Sequence, residues 1–151
     1  MMGREKKEHN DLFFVCSLVE YIARKTKNRR GDVATALGKQ ALQHLYDLAD
    51  VYHCENMDKL ADELAEKHRI ATGDFDNVAQ ARYRVPTHWD IGKVYHRLAI
   101  RVCQEQAKEP VDALLEVYSS PIVHKIDDYN CSMYYENPDY LYASFVEGRA
   151  A

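Results

Sequence analysis

The sequence predicts an all-α fold, a compact bundle of about six to seven helices arranged as two helical halves that share one core. Three observations carry that expectation. Apolar residues recur at three- and four-residue spacing along most of the chain, capping residues stand at the ends of these stretches, and no alternating segment is long enough for a sheet. With 151 residues the chain fits a single helical unit, 1–151, whose halves 10–72 and 87–148 are joined by a linker at 73–86.

The first helix is expected over residues 10–27, capped by Asn10, with Leu12, Cys16, Val19 and Ile22 on one face and Phe13 and Phe14 widening it. It ends in Arg24, Lys25, Lys27, Arg29 and Arg30, cations that a helix C-terminus favours, and Gly31 then offers a break. A second helix is expected after Asp32, carrying Val33, Leu37, Ala41, Leu45, Leu48 and Tyr52, either bent or divided at Gly38. Asn56 caps a third, in which Met57, Leu60, Ala61, Leu64 and His68 share a face, and Gly73 supplies its stop.

Residues 73–86 hold Gly73 and Pro86 and have the least regular pattern. Thr87 followed by Asp90 resembles a capping box for a helix over 88–108, where Ile91, Val94, Tyr95, Leu98 and Val102 form a stripe. Pro110 suits the first turn of the next helix, Ser119 to Pro121 restart the pattern, and Asn137 with Pro138 reads as the cap and first residue of a last helix closed by Gly148.

The net charge is −4 and the calculated pI about 6.0. Nucleic acid is therefore not an expected partner, and no membrane association follows from the whole-molecule field. No stretch approaches the ~20 apolar residues of a membrane span, and the N-terminal residues MMGREKKEHNDLFF contain no apolar signal core. Cys16, Cys54, Cys103 and Cys131 lack disulfide-framework or zinc-knuckle spacing, so reduced thiols in a cytoplasmic protein are expected, with no cofactor and no metal.

Several groups carry potential chemistry. His124, Asp127 and Asp128 have one-face helical spacing, which makes them the candidate catalytic residues of a small metal-dependent hydrolase if folding adds His88, His96 or Glu136. The same spacing also suits a solvated polar face. His53 beside Cys54 is a poor nucleophile–base pair, since adjacent helical side chains diverge by ~100°, and none of the GxSxG, HExxH, P-loop or GxGxxG motifs occurs. The basic patch Arg24, Lys25, Lys27, Arg29 and Arg30 could dock phosphates, but a helix terminus explains it too.

Eleven tyrosines are the one compositional excess. Tyr129, Tyr134, Tyr135 and Tyr140, with Asn137, are the candidate partner-binding residues, because tyrosine offers a large contact area and a hydroxyl at modest entropic cost. The alternative is that these rings close the core. The expected function is thus a cytoplasmic helical protein-interaction module with a protein partner, self-association being a second form of contact.

The stretch FFVCSLVEYIARKTKNRRGDV followed by LYDLADVYHCENMDKLADEL resembles, over residues 12–66, a family of small uncharacterised bacterial all-helical proteins often encoded beside ADP-ribosyltransferase-like toxins. Tyr46, Asp47 and His53 fit that family's Tyr-Asp pair followed by His. The resemblance implies an antitoxin-like or accessory role and brings no catalytic residues with it. The C-terminal segments DIGKVYHRLAIRV and IDDYNCSMYYENPDY are similar to other short bacterial proteins of unknown function.

Overall fold

The computed structural model describes the backbone of residues 2–150 and the side chains of residues 9–148. Among the described residues there are helices and no strands. Six helices have nine or more residues: α1 (Met2–Thr26), α2 (Arg30–Asp47), α4 (Met57–Lys67), α6 (His88–Gln106), α7 (Pro110–Tyr118) and α9 (Pro138–Ala150). The single-turn helices α3 (Ala49–Tyr52), α5 (Asn77–Gln80) and α8 (Ile122–Ile126) and a 3₁₀ turn at Ser132–Tyr135 complete the chain.

Helix α1 is the central rod. Leu12, Val15, Cys16, Leu18, Val19, Ile22 and Ala23 are all fully buried, so its apolar surface reaches well beyond one stripe. It packs against α2, α4 and above all α6, which joins the two halves around one apolar core. Gly92 is what permits the α1–α6 approach: a Cβ there would stand 2.8 Å from the Ser17 Cα. Burying each large aliphatic side chain of this core is worth roughly 1.5–3 kcal/mol.

The helix starts follow the expected chemistry at four places. Asn56 accepts from the Lys59 amide, Thr87 and Asp90 form the reciprocal capping box, Pro110 occupies the first turn of α7, and Asn137 accepts from the Asp139 amide ahead of α9.

Several boundaries differ from the sequence reading: α2 stops at Asp47 and α3 carries Tyr52, and α4 ends at Lys67, where Arg69 turns left-handed (φ 54°), rather than at Gly73. Helix α1 begins before Asn10, which therefore lies inside it and is no cap. Arg29 and Arg30 do not finish α1. Lys27 turns left-handed (φ 57°), the Asn28 amide closes onto the Ala23 carbonyl, and α2 then starts at Arg30 with Gly31 in its first turn. Helix α9 also runs past Gly148. At Gly38 the backbone takes φ 80°, a conformation glycine adopts without a Cβ penalty, and α2 kinks there.

Residues 73–86 are anchored to the rest of the fold. The Gly73 and Phe75 amides donate to the carbonyls of Thr26 and Lys27, and the turn α5, capped by Asp76, delivers Asn77 into the interior.

Candidate functional site

A buried polar network lies where α1, α2, α5, α6 and the segment after α8 meet. Glu20 sits on the buried side of α1 and Arg30 at the start of α2, both with no exposed surface. Arg30 donates two bonds to the Glu20 carboxylate, at 2.8 and 2.7 Å, and a third to the Asn77 side-chain oxygen at 3.0 Å. Arg24 donates to Glu20 at 2.7 Å, and the Tyr129 hydroxyl does so at 2.5 Å. Burial alone would raise the Glu20 pKa, but the hydrogen bonds and charge of Arg30, helped by Arg24 and Tyr129, outweigh it and hold the group below its ordinary value.

Asp127 lies at the edge of this network and is 1% exposed. Its backbone carbonyl accepts from Asn77, its Oδ1 accepts from the buried Tyr95 hydroxyl at 2.6 Å, and its Oδ2 has no partner. Burial, and next the nearby Glu20 charge, push its pKa up to about 7, with Arg30 and the Tyr95 hydrogen bond pulling the other way. Two acids in one interior thus divide: Glu20 is ionised against two arginines, and Asp127 shares its proton near neutrality.

Above Asp127 opens a cleft of about 470 Å³ bordered by Arg29, Phe75, His124, Asp128 and Tyr129. Arg29 stacks over Phe75 at 4.3 Å and approaches His124 Nδ1 at 3.3 Å. The structure therefore brings His124, Asp127 and Asp128 to one cleft. It does not bring the other proposed members there. His88 packs on Tyr21 and Trp89, His96 on Phe13, and Glu136 accepts from Ser132 on the far side of the tyrosine run. Among the described residues no group of three or more His, Cys, Asp or Glu side chains could hold a metal ion.

The basic patch does not form as a surface unit. Arg30 is interior, Arg24 is bound to Glu20, and Lys25 bridges Asp58 and Asp62 of α4, leaving Lys27 and Arg29 exposed. Arg24 and Lys25 do stand in the last turn of α1, but Arg24 pairs with Glu20 of the same helix, Lys25 reaches α4, and Arg30 crosses from α2 to Glu20. His53 and Cys54 are both exposed just beyond α3, where the Cys54 thiol donates to the Asp50 carbonyl.

The tyrosine run divides into inward and outward rings. Tyr129 is 3% exposed and bonded to Glu20, so its assignment to a partner-binding surface is overturned. Tyr134 is half-buried, edge-packed between Tyr129 and Tyr135. Tyr135 is 69% exposed and Tyr140 54%, and Asn137 is exposed beside the start of α9. Tyr134 and Tyr135 form a wall shared by two clefts. One, of about 470 Å³, is bordered by Arg84, Pro86, Asp90, Lys93, Val94 and Arg97. The other, of about 120 Å³, is closed by Val94, Leu98, Pro138 and Leu141, with Arg97 and Glu136 at its rim.

Glu20 and Asn77, and the cations Arg84, Lys93 and Arg97, escape the sequence reading, in which Tyr95 stands only as part of an apolar stripe. Glu20 carried a signal, an acid within the apolar positions of α1 and four residues before Arg24. Lys93 and Arg97 are likewise four apart on α6, flanking Val94. Comparison with known proteins finds no matching family model, no matching curated protein and no matching solved structure. No helix among the described residues is long and apolar enough to cross a membrane.

Proposed function

We propose that this chain is a helical protein-interaction module whose docking face is the groove walled by Tyr134 and Tyr135. The observation that carries the reading is Tyr135, a large amphipathic ring 69% exposed between two clefts. Such a ring offers contact area with only two side-chain torsions to freeze, which is the property that makes tyrosine common among energetically dominant interface residues. Tyr140, exposed on the first turn of α9, adds a second ring of the same kind. The antitoxin-like or accessory role implied by residues 12–66 is the biological form proposed for the module, in the cytoplasm, where the four cysteines, none of them in a disulfide, would remain reduced. Self-association through the same face is the homo-oligomeric form of the proposal.

The hydrolase alternative rests on the cleft of His124, Asp127 and Asp128 and lacks the third-party ligands it was expected to recruit. The nucleic-acid alternative rests on the basic stretch, three of whose five cations are committed to Glu20, Asp58 and Asp62.

The test is affinity capture from the native host with wild type and a Tyr134→Ala/Tyr135→Ala variant of matched helical circular dichroism. A protein retained by wild type and lost by the variant is expected. Equal retention by both would refute the docking face, and a stoichiometric metal ion in purified protein that retains nothing would favour the hydrolase.

A further inference from the structure

We propose that the occupant of this groove is an acidic protein segment that carries one apolar side chain next to its carboxylates, an inference that rests on the docking role of Tyr134 and Tyr135. The two clefts on either side of the tyrosine wall differ in chemistry. The larger is cationic: Arg84, Lys93 and Arg97 are all exposed, and their side chains make no hydrogen bond or ion pair among the described residues. The acid beside them, Asp90, is committed to the Thr87 cap, both its amide and its carboxylate being bonded there. Asp90 lies within electrostatic reach of Arg84 and Lys93, so this face carries a local excess of positive charge, three cations to one acid, in a chain of net charge −4.

The smaller cleft combines four aliphatic side chains with Arg97, Glu136 and the two tyrosines. Val94, Leu98, Pro138 and Leu141 enclose about 120 Å³, room for an aliphatic side chain and too little for a nucleobase with its sugar. Its rim acid, Glu136, is bonded to Ser132. The clefts share Val94, Arg97, Tyr134 and Tyr135, so one short segment can place an apolar residue in the small cleft and adjacent carboxylates against the cations. Complementary charge then sets the binding rate and the choice of partner, and the apolar anchor with the Tyr135 ring supplies most of the contact energy.

A single-stranded nucleic acid would also meet cations and an aromatic ring, but such binding uses free aromatic faces for stacking. Tyr135 offers one exposed ring, but Tyr134 is packed edge-on against Tyr129 and Tyr135, so the wall presents no series of free rings, and the pocket beside it has the size of an aliphatic group. Those two features favour a protein segment.

The experiment uses the full chain against immobilised twelve-residue peptides in which a single Leu or Phe is moved through a Glu/Asp background. Matched Lys and Ser/Gly backgrounds and an oligo-dT strand serve as comparisons. Acidic peptides with an apolar residue are expected to bind, more weakly as salt rises from ~50 to ~300 mM because exposed charges are screened over shorter distances. Arg97→Glu or Lys93→Glu is expected to lower that affinity by at least tenfold, with Arg97→Lys retaining most of it. Tyr135→Ala is expected to weaken acidic and neutral peptides alike. Binding of neutral or basic peptides that Tyr135→Ala abolishes and charge reversal leaves unchanged would overturn the acidic occupant while leaving the docking face in place. Tighter binding of oligo-dT would overturn the choice of a protein segment. Failure of every peptide would overturn this proposal, and the host capture with the Tyr134→Ala/Tyr135→Ala variant would then decide the docking role separately.

Discussion

Replacing Asp127 by Asn should remove a pH dependence of stability that the wild-type protein carries between pH 5 and pH 8. In the folded chain Asp127 holds its proton up to about pH 7, whereas in the unfolded chain it ionises near its ordinary 3.8. Between these values the native state binds more protons than the unfolded state, so the stability supplied by this group is fully present below the unfolded pKa and is lost as pH rises through the folded one. A gap of this size, with one unit equal to ~1.36 kcal/mol, corresponds to a loss of about 2–3 kcal/mol from pH 5 to pH 8. Asn keeps the acceptor for the Tyr95 hydroxyl and cannot ionise. His96 acts in the opposite sense: burial, with His9 and Arg97 nearby, depresses its pKa to about 4, so its neutral state favours folding as pH rises. The informative quantity is therefore the difference between wild type and Asp127→Asn, in which the His96 contribution cancels. Urea unfolding followed by circular dichroism at pH 5, 6, 7 and 8 measures it. Wild type should lose most of its advantage over the variant between pH 5 and 7 and level off by pH 8, and parallel profiles within about 0.5 kcal/mol would refute the assignment of a buried Asp127 with a raised pKa.

Two further perturbations probe the same interior. Arg30→Met leaves Glu20 buried with only Arg24 and Tyr129 as partners, and breaking one side of such a pair costs about 3–5 kcal/mol. With two partners remaining, the lower end is expected in urea unfolding. The double variant Arg30→Met/Glu20→Gln should recover part of that loss, and a double variant no better than the single one would show that the stranded charge is not the source. Gly92→Ala drives a Cβ to within 2.8 Å of the Ser17 Cα and 2.9 Å of its nitrogen, and overpacking of this kind costs about 1–3 kcal/mol. Gly148→Ala, whose nearest neighbour would be a Pro121 carbon at 3.7 Å, is the control that should leave the thermal midpoint unchanged or raise it.

Local chemistry made most of the fold legible. The Thr87–Asp90 capping box, the Asn56 cap and the prolines 110 and 138 act within a turn of their own position, and the structure shows each helix beginning where that chemistry directs. Arg29 and Arg30 could not be placed the same way. A run of cations after an apolar helix reads as a C-terminus, and the residue that draws Arg30 inward, Glu20, reaches it only after the chain reverses at Lys27 and Asn28. Asn77 is still less visible, since its partners Arg30 and Asp127 lie 47 and 50 residues away. Cap signals are written in neighbouring residues. Polar networks are written in the fold, and only an acid such as Glu20 among apolar helical positions hints at one.

The segment from Asp127 to Tyr135 explains why the tyrosine run could not be read as one thing. Asp127 and Tyr129 turn inward and are tied to Tyr95 and Glu20, which fixes the backbone on one side of the run. The 3₁₀ turn at Ser132–Tyr135 follows, with Met133 buried beneath it. In a turn of three residues per repeat, successive side chains diverge by ~120°, so Met133 can face the core while Tyr135 faces solvent. The buried anchors thereby fix the backbone that carries Tyr135, whose ring packs edge-on against Tyr134 at 4.9 Å beside the clefts that Val94 and Arg97 border. A docking residue on a backbone held this way has only its side-chain torsions left to order on binding. That links the interior to the proposed interface: loosening the Glu20–Tyr129 bond should weaken capture of a partner through Tyr135 even though Tyr129 itself has almost no exposed surface to offer it.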